Sequence, residues 1–350
     1  DGLLLVGTNN VNYATGACPP GLDSGRAALM RQVAVVVRGD GAPHLFTPFP
    51  DAAPPELPAD HLHVGLHPEP VELFPHGSRV GVDEVTASMG GLVCVGASAV
   101  LGPAKIAKTP DELACIRTAQ RINELAMRDV QPLLGPEVRQ TDLTATFLRR
   151  IFELGATSNA IDPIWQIMPT TKAEGPWTVH GDVAFPTPTT GRAFQEGDVV
   201  WVDTGITYEG YASDFGRTWL VGADQEPTPR QRAQYERWRA VVDAVVAIAK
   251  PGVSALDLGR TATAANDGVT PWLAHFYLAH SVGTDSAEMP LIGTDLGQTF
   301  DSGLVLAPGM VLVIEPVIWD DGAAGYRSED IIAITDGGSV PLSDYPYDPW

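Results

Sequence analysis

Five residues in this sequence have types and spacing that suit metal chemistry: Asp203, Asp214, His280, Glu315 and Glu329. Asp203 closes the apolar run Val199–Val202, and Asp214 returns after a turn at Tyr208–Gly210. With Tyr208-Glu209 as a two-residue hairpin loop, Asp203 stands directly opposite Asp214 on one face of the ribbon. Directly opposed Cβ atoms lie roughly 4.5–5.5 Å apart and like charges there repel, so this pair calls for a shared cation. Glu315 ends the apolar run Met310–Ile314, where a lone carboxylate is costly to desolvate. A loop centred near Gly322 sets Glu315 face to face with Glu329, and His280, beside the turn at Gly283, adds a nitrogen.

An oxygen-rich set with one nitrogen suits two divalent metal ions such as Mn, Co, Fe or Zn. Two ions roughly 3.5–4 Å apart hold a bridging hydroxide as nucleophile and polarise a carbonyl. Any one of these acids, taken alone, is explained as a strand-end cap or a partner of Arg217 or Arg327. All five on two ribbons of matched logic are not.

The elements that must position them follow from periodicity. Short apolar runs at Leu3–Val6, Val33–Val37, His44–Phe46, His61–Leu66 and Val80–Val82 predict strands, with helices around Arg26–Arg31 and Val85–Met89. Residues 1–104 therefore read as a small α/β domain. Gly102–Asp111 reads as a linker, and a helix opens at Pro110 with Asp111 and Glu112 in its first turn. Further helices are expected over Thr141–Leu154, Arg230–Lys250 (stopped by Pro251-Gly252) and Ala255–Asp267, with strands at Val199–Val202, Phe215–Val221, Val311–Ile314, Val317–Trp319 and Ile331–Ile334. The second domain, 105–350, is thus α+β. Trp165, Trp201, Trp219 and Tyr211 at strand spacing read as core.

Composition excludes several function classes. Lys and Arg number 22 against 43 Asp and Glu, a net charge of −21. Such a surface repels phosphate backbones and anionic headgroups, so neither nucleic acid nor membrane is an expected partner. The three cysteines, Cys18, Cys94 and Cys115, form no CxxC or disulfide framework, which points to a reducing, cytoplasmic setting. The chain opens within a strand-like segment, so a start segment is expected before Asp1. The spacing of His61 and His63, with His67 nearby, is explained by a solvent-facing strand edge without a metal.

The motifs also resemble a family, the pita-bread metallohydrolases (peptidase family M24: prolidase, aminopeptidase P, methionine aminopeptidase, creatinase). The likeness rests on GDVVWVDTG with SDFGRTW, on AHSVG, on LAPGMVLVIEP and on GYRSED. DGLLLVGTNNVNYAT is similar to the opening of the creatinase-type N-terminal domain, and Lys108–Leu113 to the entry into the catalytic domain. The resemblance implies a pita-bread fold for 105–350 and dimetal ligation by Asp203, Asp214, His280, Glu315 and Glu329. In it Asp203 binds one ion, Asp214 and Glu329 bridge the pair, and Glu315 also takes a proton from the bridging water and passes it to the leaving group. It implies a homodimer formed through the N-terminal domain.

The sequence departs from the family's pattern in places that bear on substrate. Ala287 occupies the position of a second His that contacts the scissile amide, and Val317 replaces a Gly after the Glu-Pro pair. His180 is the candidate for a further catalytic and substrate-binding imidazole, although it lies further before Asp203 than the family's spacing suggests. His275 reads as packed. Trp177, Asp285 and Arg327 complete the substrate-binding candidates. The expected activity is cleavage of an amide beside a small or imino-acid residue in a short peptide, as in Xaa-Pro dipeptidases. The alternatives are an amidohydrolase or dimethylsulfoniopropionate-type lyase acting on a small metabolite, and a non-catalytic binding module.

Overall fold

The computed structural model describes residues 2–21, 24–65, 70–84, 91–171, 191–222, 226–273, 276–294 and 296–346. The chain divides into two compact units, Asp1–Ala104 and Lys105–Trp350. Val85–Met89, His67, Trp177, His180 and His275 fall outside the described residues.

β-Branched runs favour extended backbone, and in the first unit they build one mixed sheet. Its strands are β1 (Gly2–Leu5), β2 (Val33–Val37), β3 (His44–Thr47), β4 (Leu62–Val64), β5 (Arg79–Val82) and β6 (Val93–Gly96), in the order β4-β3-β2-β1-β5-β6. Helices α1 (Thr8–Thr15), α2 (Ser24–Leu29) and α3 (Ser98–Ile106) accompany it. Leu4, Val35 and Val80 pack into one core cluster and Leu5, Ala34 and Leu45 into another, as the period of two requires. At the edge, His44 Nδ1 lies 3.1 Å from His63 Nε2 and His44 Nε2 lies 3.1 Å from Asp40 Oδ2. The linker expectation needs correction at its start: α3 runs through Gly102-Pro103 to Ile106. Leu101, buried with the Leu5–Leu45 cluster, sustains the turn that a Gly-Pro pair would otherwise break.

The second unit opens with α4 (Pro110–Val130). Thr109 accepts from Glu112 N while the Glu112 side chain accepts from Thr109 N, a reciprocal cap with Pro110 at the first helical position. Then come α5 (Gln140–Glu153), β7 (Ser158–Asn159), β8 (Ile164–Ile167), β9 (Val199–Thr204), β10 (Ile206–Tyr208), β11 (Tyr211–Ala212), β12 (Phe215–Leu220), α6 (Pro229–Ile248) and α7 (Ala255–Ala265). The chain continues through β13 (Ala279–Ser281), β14 (Glu288–Ile292), α8 (Gln298–Gly303), β15 (Val311–Ile314), β16 (Val317–Trp319), β17 (Gly325–Arg327), β18 (Asp330–Thr335) and β19 (Gly338–Pro341). The sheets are antiparallel, in the orders β12-β9-β8, β11-β10-β7, β14-β13-β15-β18-β19 and β16-β17.

Strand parity divides the side chains of this unit. Val200 and Val202 of β9 pack against α4 and α5, whereas Val199 and Trp201 turn to the other face and meet Val317 and Ala324. Leu312, Ile314, Ile332 and Ile334 pack against α6 and α7, while Val311, Val313, Ile331 and Ala333 form a separate cluster. Asp203 shares parity with Val199 and Trp201, and Glu315 and Glu329 share it with Val313 and Ile331. The acids of the second ribbon thus project from the face opposite α6 and α7, where Val311, Val313, Ile331 and Ala333 meet Ile116 of α4. Among the described residues, no helix is long and apolar enough to cross a membrane.

Candidate metal centre

The first ribbon turns one residue later than its sequence suggests. Tyr208 pairs with Tyr211, so the loop is Glu209-Gly210, with φ of 48° and 79°. Two successive positive φ values make the tight turn whose twist matches a hairpin, and Gly210 adopts one of them without strain. Asp203 consequently stands opposite Gly216 and not Asp214. The shift amounts to two positions along the strand, so Asp214 keeps its face and becomes a diagonal neighbour. The ligand oxygens of Asp203, Asp214 and Glu329 lie within 4.8 Å of one another.

The ribbon is interrupted between β9 and β10 and between β11 and β12, where α4 supplies the missing partners. Asn123 Nδ2 donates to Thr204 O at 2.8 Å and to Ser213 Oγ at 3.0 Å, and Gln120 Oε1 accepts from Asp214 N at 3.3 Å. Gly216 plays a different part. A Cβ built there would lie 2.5 Å from Glu329 Oε1, so the missing side chain is the space the Glu329 carboxylate occupies.

In the second ribbon Ile314 pairs with Asp330 and Val317 with Arg327, one register that carries through the break and sets Glu315 opposite Glu329. The sequence predicts this pairing. His280 lies on β13, opposite Val313, and therefore on the same face. Its Nδ1 is 3.0 Å from Ser281 O, a carbonyl that can only accept, so Nδ1 carries the hydrogen. Nε2 then faces Asp214 Oδ2 and Glu315 Oε1, each at 3.2 Å.

Four carboxylates here face one imidazole and one guanidinium, so even a protonated His280 leaves negative charge in excess. Burial pushes Asp203 up to about 7; Arg327 opposes the rise, and Asp214 and Glu315 add to it. Glu329 is raised well above the carboxylate range, by burial first and then by Asp214 and Asp203 against Arg327. Burial alone would lower His280, but its bonds to Asp214 and Glu315 outweigh that and hold it well above its usual value. Glu329 Oε2 is buried and has no hydrogen-bond partner among the described residues. Buried acids in excess, an imidazole Nε2 that can give up its proton to a cation among them and an unsatisfied oxygen are together a donor set that divalent cations fit.

Arg327 is 5% exposed at its side chain, and Nη2 donates to Glu315 Oε2 at 2.6 Å, to Asp203 Oδ2 at 3.1 Å and to Glu329 Oε1. Its contacts are thus with the candidate ligands themselves. Asp285 Oδ2 meets Lys105 Nζ at 2.6 Å, and Ala287 is exposed. Trp165, Trp201 and Trp219 are buried core residues. Tyr277, which sequence reasoning did not single out, has its ring centroid 5.0 Å from that of His280. Burial and then the charges of Glu315 and Asp214 raise its phenol pKa. Asn123 carried a readable signal, a polar residue beside the apolar stripe of α4; Gly216 carried none.

Comparison with known proteins matches residues 114–336 to the model of metallopeptidase family M24. The chain is 29% identical over 264 residues to the probable dipeptidase PepE of Mycobacterium tuberculosis, covering 74% of this chain and 64% of that protein. It is 30% identical over 246 residues to the Xaa-Pro dipeptidase of Pyrococcus furiosus, covering 70% of this chain and 65% of the relative. The chain thus spans slightly less than two thirds of either relative. The solved prolidase from Pyrococcus furiosus superposes with a TM-score of 0.75 at 24% identity, over 99% of this chain and 97% of that one, a likeness of fold.

Proposed function

Because the chain belongs to metallopeptidase family M24, with an α/β N-terminal unit and an α+β pita-bread unit, we propose that it is a dinuclear peptidase of the Xaa-Pro dipeptidase kind. Its ligands are Asp203, Asp214, His280, Glu315 and Glu329, and its cations are two of the Mn, Co, Fe or Zn class. The observation that carries this reading is the convergence of Asp203, Asp214 and Glu329 oxygens within 4.8 Å, with His280 Nε2 3.2 Å from Asp214 and from Glu315.

When bound, the cations supply an activated water and a polarised substrate carbonyl. The chain's own residues do the rest. Ser281 O holds the Nδ1 proton of His280 and so leaves the Nε2 lone pair free to ligate. Arg327 fixes the rotamers of Glu315, Asp203 and Glu329 and offsets part of their repulsion, a positioning role. Glu315 accepts a proton from the attacking water and returns it to the leaving amine, a general acid–base role open to a carboxylate within reach of both. The substrate is a short peptide, with Asp285, Trp177 and His180 as its further contacts.

The test is release of proline from a panel of Xaa-Pro dipeptides by protein loaded with Mn, set against Glu315→Gln. Turnover lost in the variant supports the reading, and no turnover above the Mn-only rate on any dipeptide removes it. The exposed methyl of Ala287 favours a second reading, in which the same centre acts on a small metabolite that needs no imidazole there. Consumption of a non-peptide amide in a metabolite panel, with all dipeptides untouched, selects it.

A further inference from the structure

Among the described residues, Lys108 is a buried cation on the β13 side of the centre for which the chemistry above has no use. Only 1% of its side chain is exposed. Nζ donates to Lys105 O at 2.8 Å, to Ser281 Oγ at 3.1 Å and to Glu288 Oε1 at 2.6 Å. An ammonium has three donors, and these three acceptors use them all. Glu288 is held from its other oxygen by Lys105 Nζ at 3.1 Å, and Ser281 pairs with Glu288 across β13 and β14.

Ser281 connects this network to the metal centre. Its hydroxyl accepts from Lys108 and lies 3.3 Å from Val282 O, to which it donates. Both the side chain and the following peptide of Ser281 are therefore fixed. The carbonyl of the same residue receives the Nδ1 proton of His280. A carbonyl in that place decides which imidazole nitrogen is protonated and where the other one points. Buried ion pairs are weak sources of stability in themselves, whereas groups that orient a ligand change metal affinity directly.

We propose that Lys108 is a positioning residue for the metal centre: anchored by Glu288, it holds Ser281 so that the Ser281 carbonyl sets the tautomer and the aim of His280. This inference rests on the metal reading above.

The experiment titrates metal-free protein with MnCl2 by calorimetry and with CoCl2 by visible absorption, for wild type, Lys108→Met, Ser281→Ala and Lys105→Gln. Lys108→Met and Ser281→Ala are expected to weaken metal binding about 10- to 100-fold and to shift the Co(II) band, because the imidazole ligand is re-aimed. Ser281→Ala removes only a hydroxyl, so it carries the test should Lys108→Met not fold. Lys105→Gln removes the cation on the other oxygen of Glu288 but leaves Lys108 and Ser281 in place, so it is expected to shift the band less than either of those variants. A Ser281→Ala protein with wild-type affinity and an unshifted band overturns the role of Lys108. Wild-type protein that takes up no metal is a separate result and overturns the metal reading itself.

Discussion

Gly216 and Glu329 share one volume: a methyl group on Gly216 would lie 2.5 Å from Glu329 Oε1 and 2.6 Å from its Cδ. The backbone of the same pair is joined, Glu329 N donating to Gly216 O at 3.0 Å. The first ribbon therefore holds the second ribbon's acid by its main chain and admits the carboxylate by lacking a side chain.

Gly216→Ala is accordingly expected to displace Glu329 and weaken metal uptake, while overpacking costs the fold about 1–3 kcal/mol. Calorimetric Mn titration beside urea unfolding checks both. Retained wild-type affinity would mean that Glu329 reaches its place by another route.

Arg217 lies behind the same acid. It donates to Gly216 O and Glu329 O at 2.7 Å each, to Tyr345 O at 3.1 Å and to Pro346 O at 3.2 Å. Arg217→Met leaves several buried acceptors bare at about 1–3 kcal/mol apiece, so a loss of at least about 3 kcal/mol is expected in urea unfolding. A change below about 1 kcal/mol would contradict this, since it would mean the carbonyls find other donors.

The stability of metal-free protein should depend on pH through Asp203. Burial pushes its folded carboxyl up to about 7, above the ordinary aspartate value of about 4, so the folded state binds the proton more tightly than the unfolded one. Stability is then greatest below the unfolded value and falls as pH rises from about 4 through about 7. Unfolding in chelator across that window should show the decline, and Asp203→Asn should make it shallower, the raised Glu329 and His280 contributing with the same sign. A wild-type curve that rises instead would show that the acids are already compensated without cations.

Metal removal should destabilise. A ligand that binds only the folded state adds about 2.7 kcal/mol when present at a hundred times its Kd. Chelated protein is therefore expected to melt lower, and added Mn to restore the melting temperature in Asp285→Asn as in wild type, since Asp285 is paired with Lys105 and not with the acid cluster. Equal melting with and without Mn in wild type would contradict this.

Much of the centre was readable because parity and register are local properties. Glu315 and Glu329 could be paired from the position of their loop, and a run such as Val311–Ile314 announces a strand buried on both faces. The Asp203–Asp214 register was misread because the turn residues are Glu209-Gly210, yet an even shift kept both acids on one face. Other features depend on contacts distant in sequence, which local patterns do not encode. Asn123 meets Thr204 and Ser213, Lys108 meets Ser281 and Glu288, and the role of Gly216 is an absence of atoms. The strands β13 and β14 were not foreseen, since β13 spans only Ala279–Ser281, too short to display a period. Arg327 could be read from the sequence both as a substrate-binding candidate and as a partner of the acids, and local patterns do not separate the two. In the structure its guanidinium meets Asp203 and Glu315.

Crystals grown with MnCl2 and measured at the manganese absorption edge test the central claim most directly. Two anomalous peaks are expected, bounded by the side chains of Asp203, Asp214, His280, Glu315 and Glu329. A map with no peak among those five residues, from protein shown to bind Mn in solution, would contradict it.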